Sequence, residues 1–421
     1  MRWAGLVAAA LATVMVAACG GKAPAPDPDL PAMLRVGNAA RVMPSGTAPV
    51  STVAAGMAQL GLRLGQPGTG NWVLSPASIA YAFAMVRGGA RGATADEIDK
   101  AFGFPSSGLA DAFNAITRAV VTTDVPPPPN TNPRKQGEVR PTVMCVSDAV
   151  FPAAGYPIGA DFLRTLAEQY GAGVYPVDFT KDAAARAVDA WVKQQTAGRI
   201  TKLFDRLPQD TKLVLANTVY LRADWKVPFD HLSTSDQPFR RADSSSVTAR
   251  TMHATGPVRY AEGPGWQAVE LPYVGDQLAM RILLPAPGGD PNALLTLNPT
   301  FATRAVQVSL PAWDFGSNVD LKTALGGLGV RTAFDPSAAD FSGINPELYI
   351  AQAVHRATIT VDEAGTEAAA ATGIAMAPTS AMPQPSVSFN ADHPYAFEIV
   401  HIGTGVPLFV GHVADPTAHA A

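Results

Sequence analysis

Between a strand-like segment, Ala357-Thr358-Ile359-Thr360-Val361, and another at Tyr395-Ala396-Phe397-Glu398-Ile399-Val400, the chain places a tract with almost no bulk. It reads Gly365-Thr366-Glu367-Ala368-Ala369-Ala370-Ala371-Thr372 and continues Gly373-Ile374-Ala375-Met376-Ala377-Pro378-Thr379-Ser380-Ala381-Met382-Pro383. β-Branched residues favour extended backbone, so both flanks read as members of a sheet. Connections longer than about 15 residues are uncommon in compact domains and usually carry function or are disordered. Whatever this chain folds into must hold a long small-residue connection between two firmly built strands, and the activity is expected there.

The N-terminus reads as an export signal. Arg2 supplies a positive start, and Ala4 to Ala18 is uncharged, mostly apolar and too short to span a bilayer comfortably. It ends in Val16-Ala17-Ala18-Cys19-Gly20, which resembles a bacterial lipoprotein processing site. Residues 1–18 are then a signal peptide, and Cys19 becomes the acylated first residue. The alternative is an ordinary secretory signal with Cys19 incidental. Repeated prolines from Ala23 to Pro31 predict an extended tether, taken as residues 19–47. Residues 48–417 are expected to form one domain. With Cys19 in the anchor only Cys145 remains, so the fold has no internal disulfide. Cys145 lies in the apolar run Val143 to Phe151 and reads as a buried structural thiol. A formal charge of -4 offers nothing to a phosphate backbone, so no nucleic-acid partner is expected.

Helical spacing appears at Ser51–Leu64, Ser78–Arg87, Phe113–Val120, Ala160–Tyr170, Ala183–Gln195 and Asp320–Leu328. Thr94 precedes Glu97 by capping-box spacing, which predicts another helix starting there. The run Leu213 to Leu221 is nearly all apolar, the signature of a central strand covered on both faces. Further strands are expected at residues 247–252, 258–260, 266–271, 278–284 and 306–310. Residues 122–141 are proline-rich and polar and read as an exposed loop. Strands lie among the early helices as well as after them, so one mixed α+β domain fits better than two separate ones.

An enzyme needs a constellation, and none is legible. No two of the seven histidines have the helical spacing of a zinc protease, and neither a G-x-S-x-G elbow nor a P-loop is present. Asp362, Glu363 and Glu367 read as charged flanks that keep the tract exposed. Ser380, between Thr379 and Ala381, reads as part of a peptide presented to another protein. Neither catalytic residues, metal nor cofactor are expected.

The residues resemble the serpin family along nearly the whole chain from about Ser51 to Pro416. The tract matches that family's reactive-centre hinge: Glu363, Gly365, Thr366, Glu367, then Ala368, Ala369, Ala370, Ala371 and Thr372. Upstream stand Asn71-Trp72-Val73-Leu74-Ser75-Pro76 with Ser78-Ile79, and Gly89-Ala90-Arg91-Gly92 with Thr94, Glu97 and Ile98. Trp191-Val192, Thr196, Gly198-Arg199-Ile200, Asn217, Tyr220, Trp225 and Pro228-Phe229 follow at the family's spacing, then Leu271-Pro272-Tyr273 and Asp340-Phe341-Ser342-Gly343-Ile344. His355, His393-Pro394-Tyr395, Phe409, Gly411, Val413 and Pro416 complete the series. Two features depart from it. Asp189 stands where the family commonly has asparagine, and the insertion at 122–141 falls where its fourth helix would lie.

The resemblance implies an α+β serpin fold with three β-sheets, eight or nine helices and an exposed reactive loop at about 363–388. It implies a monomeric suicide inhibitor of extracellular serine proteases, which traps the acyl-enzyme when the cleaved loop enters the central sheet. A non-inhibitory serpin-like binding protein is the alternative. Alternate residues Thr366, Ala368, Ala370, Thr372 and Ile374 would face the core on insertion, and all are small or β-branched. Proline, which cannot donate a ladder hydrogen bond, is absent from Gly365 through Ala377. Family spacing from Glu363 puts the reactive bond at Thr379–Ser380. Spacing back from Phe389 puts it at Ala381–Met382, and Met382–Pro383 is disfavoured by its proline. No Lys or Arg occurs from Ala364 to Ser388, so an elastase-like or subtilisin-like target is expected over a trypsin-like one. The expected location is the cell surface outside the cytoplasm, with membrane contact through the lipid anchor; the alternative is secretion.

Overall fold

Helix boundaries follow local chemistry. The computed structural model describes residues 29–30, 33, 40–65, 70–122, 126–127, 138–204, 206–366 and 387–418. Eight α-helices lie among them: α1 (Val50–Leu64), α2 (Pro76–Arg87), α3 (Gly92–Phe102), α4 (Leu109–Val120), α5 (Ala160–Thr165), α6 (Ala183–Gln195), α7 (Pro291–Leu294) and α8 (Leu321–Gly327). The Ser75 hydroxyl accepts from the Ser78 N–H (3.1 Å) and Pro76 occupies the first turn, so α2 starts where its orphan donors are fewest. Asp290 and Asp320 cap α7 and α8 in the same way. The predicted capping box does not form. α3 begins two residues earlier, at Gly92, because its polar groups serve the tertiary structure. Thr94 Oγ1 accepts from Asp340 N–H, and the Glu97 carboxylate accepts the amides of Arg331 and Thr332.

The strands are β1 (Trp72–Leu74), β2 (Val143–Pro152), β3 (Gly173–Val174), β4 (Leu213–Asp224), β5 (Ser235–Arg240), β6 (Ser246–Gly263), β7 (Trp266–Pro272), β8 (Leu278–Pro285), β9 (Ala302–Pro311), β10 (Trp313–Asp320), β11 (Val354–Val361), β12 (Gly365–Thr366), β13 (Val387–Asn390), β14 (Tyr395–His401) and β15 (Pro407–Val413). One sheet has the order β10-β11-β12-β4-β2-β3. The other runs β1-β15-β14-β8-β7-β6-β9-β13, with β5 added on β6. Two of the three expected sheets are joined here, because β6 is one unbroken strand whose first six residues pair with β5 and whose last residues pair with β7.

β4 is central, as its apolar run predicts. Its odd-numbered side chains Leu215, Val219, Leu221 and Ala223 face the main core that contains α2, while Val214 and Ala216 pack with Trp191 and Val192 of α6. Cys145 is buried and forms no disulfide among the described residues. The described residues between α4 and β2 carry no helix. Residues 40–47, expected within the tether, lie against the body. Arg41 donates to Asn114 Oδ1 (3.1 Å), and the Val42 carbonyl accepts from Asn114 Nδ2 (2.9 Å) and Arg118. The docked part of the chain therefore begins by residue 40. No helix among the described residues is long and apolar enough to cross a membrane.

Candidate functional site: an open slot beneath the hinge

In the order β11-β12-β4 the middle member is only two residues long. β4 pairs with β2 from Leu213 to Arg222, but among the described residues its other edge pairs with β12 only at Ala223 and Asp224. β11 is paired with β10 throughout, and with β12 only at Val361. Below Thr366 the two edges face each other across a cleft of about 1520 Å³ of empty space, solvent at its mouth included. Its walls are residues 213–221 of β4 and 354–360 of β11, and Ser75, Ser78 and Ile79 lie among its lining. Strand edges are hydrogen-bonding groups awaiting a partner, so this is a site for one more strand.

The hinge is held at the upper end by contacts that its sequence did not disclose. Asp362 Oδ1 accepts the amides of Ala364 (2.8 Å) and Gly365 (3.2 Å), which turns the chain back towards β4. The Glu363 carboxylate pairs with Arg250 and accepts from Thr234 Oγ1 (2.8 Å), and its carbonyl accepts from Phe229 N–H (2.9 Å). These acids were expected to be exposed flanks. Instead they form a turn and an anchor, because residues more than a hundred positions away are folded against them. Gly365 touches β4 so closely that a Cβ would fall 2.1 Å from the Ala223 carbonyl oxygen, which explains the glycine without appeal to its dihedrals.

Thr366 is buried, and its hydroxyl lies 2.6 Å from Tyr273 Oη. The Tyr273 ring stacks on Trp225 (centroids 4.6 Å apart), whose indole N–H donates to the Asp362 carbonyl (2.9 Å). Glu363, Gly365 and Thr366 are thus brought together. Glu367, Ala368, Ala369, Ala370, Ala371, Thr372, Thr379, Ser380, Ala381, Met382 and Cys19 lie outside the described residues.

A polar cluster sits deeper in the slot. His355 Nε2 accepts from Ser75 N–H (3.0 Å), Ser78 Oγ donates to Asn217 Oδ1, and Asn217 Nδ2 donates to Asp148 Oδ1 (2.7 Å). Burial lowers the His355 pKa to about 4 from an ordinary 6.5. Burial raises Asp148 from 3.8 to about 7, opposed by the Asn217 hydrogen bond and the Arg41 charge. The signs oppose. Between about pH 4 and 6.5 the folded state holds fewer protons at His355 than the unfolded chain, so stability falls as pH drops. From about pH 4 to 7 it holds more at Asp148, so stability falls as pH rises. Urea midpoints measured across this range should show a shallower acid-side decline in His355→Gln, with buried His412 and His401 supplying part of what remains, and a shallower neutral-side decline in Asp148→Asn. Identical pH profiles in both variants and the parent would contradict this assignment.

Asp189, the departure in α6, uses its carboxylate to accept the Leu203 amide (2.8 Å), a task that an amide oxygen performs equally. Among the described residues no group of three or more His, Cys, Asp or Glu is placed to hold a metal.

Comparison with known proteins decides the family. The model for serpins, serine protease inhibitors, matches residues 59–416. The chain belongs to the serpin family. Horse leukocyte elastase inhibitor is 32% identical over 373 residues, covering 83% of this chain and 94% of its own. An uncharacterized serpin-like protein of Thermococcus kodakarensis is 33% identical, covering 82% and 81%. Among solved structures, native tengpin, a thermophilic serpin, matches with TM-score 0.77 at 21% identity, over 92% of this chain and 100% of its own. A cleaved serpin, 42Da, matches with TM-score 0.74 at 25% identity, over 87% and 98%. The fold is the α+β serpin fold, and serpins act as inhibitors of proteases rather than as enzymes.

Proposed function

We propose that this serpin inhibits serine endopeptidases by a suicide mechanism in which its cleaved loop, from Gly365 onwards, becomes the missing strand between β11 and β4. The single observation that carries the reading is a slot already occupied at its top by Gly365 and Thr366. Thr366 pairs with Ala223 on one side and Val361 on the other. Continued in the same antiparallel register, Ala368 would fall between Leu221 and Ile359, Ala370 between Val219 and Ala357, and Thr372 between Asn217 and His355. The small residues meet the crowded inner face, and the threonine hydroxyl meets the polar cluster. Glu367, of opposite parity, would lie across from Arg222, whose Nε is buried without a hydrogen-bond partner. Pairing of that kind offsets the cost of burying either charge.

Insertion drags the acylated protease away from the loop's original position before water can release it. The hinge comprises Glu363, Gly365, Thr366, Glu367, Ala368, Ala369, Ala370, Ala371 and Thr372, within one domain at 48–417 and a loop at about 363–388. The reactive bond is Thr379–Ser380 or Ala381–Met382. Either presents a small uncharged residue, which suits the shallow apolar pocket of an elastase-like or subtilisin-like enzyme. Similarity to leukocyte elastase inhibitors supports that choice. Incubation with elastase, subtilisin and trypsin should give a detergent-stable adduct with the first two, and mass spectrometry of the released C-terminal fragment identifies the bond. Cleavage without adduct across all three would favour a binding protein; trapping of trypsin alone would overturn the specificity.

Cys19 is proposed as the lipidated residue of a cell-surface lipoprotein. Cys19→Ser should move the protein from the membrane fraction to the soluble one, and unchanged partitioning would refute the anchor.

A further inference from the structure

Val139, Val227 and Leu232 are 66%, 75% and 81% exposed, which places them among the most exposed large apolar side chains of the described residues. Scattered singly such residues need no explanation. Each of these three lies on a segment bonded to the hinge. Val139 precedes Arg140, whose N–H donates to the Asp224 carboxylate (2.6 Å), and Asp224 pairs with Gly365. Val227 lies two residues before Phe229, whose N–H donates to the Glu363 carbonyl (2.9 Å). Leu232 lies two residues before Thr234, whose hydroxyl donates to the Glu363 carboxylate (2.8 Å). Charges beside them are matched locally: Lys226 with Asp276 (2.8 Å) and Arg140 with Glu138 (3.6 Å). Exposed apolar side chains therefore stand on three segments around the root of the loop, a collar whose neighbouring charges, Arg250 and Glu363 included, are paired.

We infer that this collar is a second contact surface for the protease held on the reactive loop, and that it meets an apolar patch beside the enzyme's cleft. This rests on the inhibitory reading proposed above. Chain length supports the choice of occupant. The candidate bonds lie five to eight residues before Val387, so at roughly 3.3 Å per residue they reach at most about 17–26 Å from β13. A globular enzyme of about 220 residues has a radius of gyration of about 17 Å, hence a diameter of roughly 44 Å. An enzyme of that size seated on such a bond overhangs the loop's surroundings. Apolar contact there lengthens the life of the encounter complex, and a longer life raises the fraction that proceeds to acylation.

The experiment compares the parent with Val139→Ser/Val227→Ser/Leu232→Ser and with Val227→Ser alone, using whichever protease the parent traps. The expected result is a second-order rate of adduct formation about tenfold lower in the triple variant and intermediate in the single one. The number of inhibitor molecules consumed per enzyme, and the melting temperature, should stay at parental values. Equal rates in all three proteins overturn the collar while leaving inhibition intact. Loss of self-association with an unchanged rate assigns the patch to a second copy of the chain and also overturns it. Failure of the parent to trap any protease instead defeats the inhibitory reading itself, and the collar with it.

Discussion

Thr366→Arg turns the protein from an inhibitor into a substrate. Thr366 is 4% exposed, with its hydroxyl on Tyr273 and its backbone between Ala223 and Val361. An arginine would vacate the seat that Thr366 holds in the intact protein, and taking that seat again on insertion would bury a charge with no carboxylate to receive it, at a cost of about 3–5 kcal/mol. If that penalty falls on the insertion step, insertion slows by roughly 10²–10⁴-fold. Deacylation then wins, the enzyme leaves intact, and cleaved chain accumulates without adduct. Thr366→Ser retains the hydroxyl and the size limit and should inhibit as the parent does. Denaturing gels and the stoichiometry of inhibition read both outcomes. Parental adduct yield in the arginine variant would sink the insertion mechanism.

Cleavage of the loop should make the protein far more resistant to heat. The cut frees the residues beyond Thr366 to add along both open edges of the slot. A new central strand of about 14 residues makes on the order of 14 net hydrogen bonds at roughly 1 kcal/mol each, before any gain from filling the cleft. For a domain of about 370 residues, the unfolding entropy near 60 °C converts that gain into a rise of roughly 20 °C. Calorimetry before and after limited proteolysis checks it. On this reading the intact form is expected to persist because rearrangement is slow, a kinetic rather than a thermodynamic stability. Equal melting temperatures for the two forms would mean that the slot does not take up the loop.

Much of this was legible along the chain. Apolar periodicity located most of the helices and the central strand β4, because a buried face leaves a 3.6-residue or two-residue signature wherever it packs. The hinge expectation rests on small size, missing proline and alternation, local properties of a strand suited to a crowded sheet, and of its residues only Glu363, Gly365 and Thr366 lie among those described. Misreadings came where one side chain had two possible employers. Thr94 and Glu97 have the spacing of a local cap, yet Asp340, Arg331 and Thr332 claim them. Asp362 and Glu363 look like solvated acids until the Ala364 and Gly365 amides, Arg250 and Thr234 are brought against them. The pairing of Glu363 with Arg250 spans 113 positions and carries no periodic signal.

Sequence alone determined what the tract can do: its residues are small enough for a buried face, and its backbone can donate at every position from Gly365 to Ala377. Nothing local could say where that strand would go. The place is a matter of tertiary structure, which among the described residues holds β4 and β11 apart with one edge of each open below Thr366. A gap between strands far apart in sequence is a property of sheet order, and sheet order is set by the packing of helices and strands onto a common core, which no window of the chain contains.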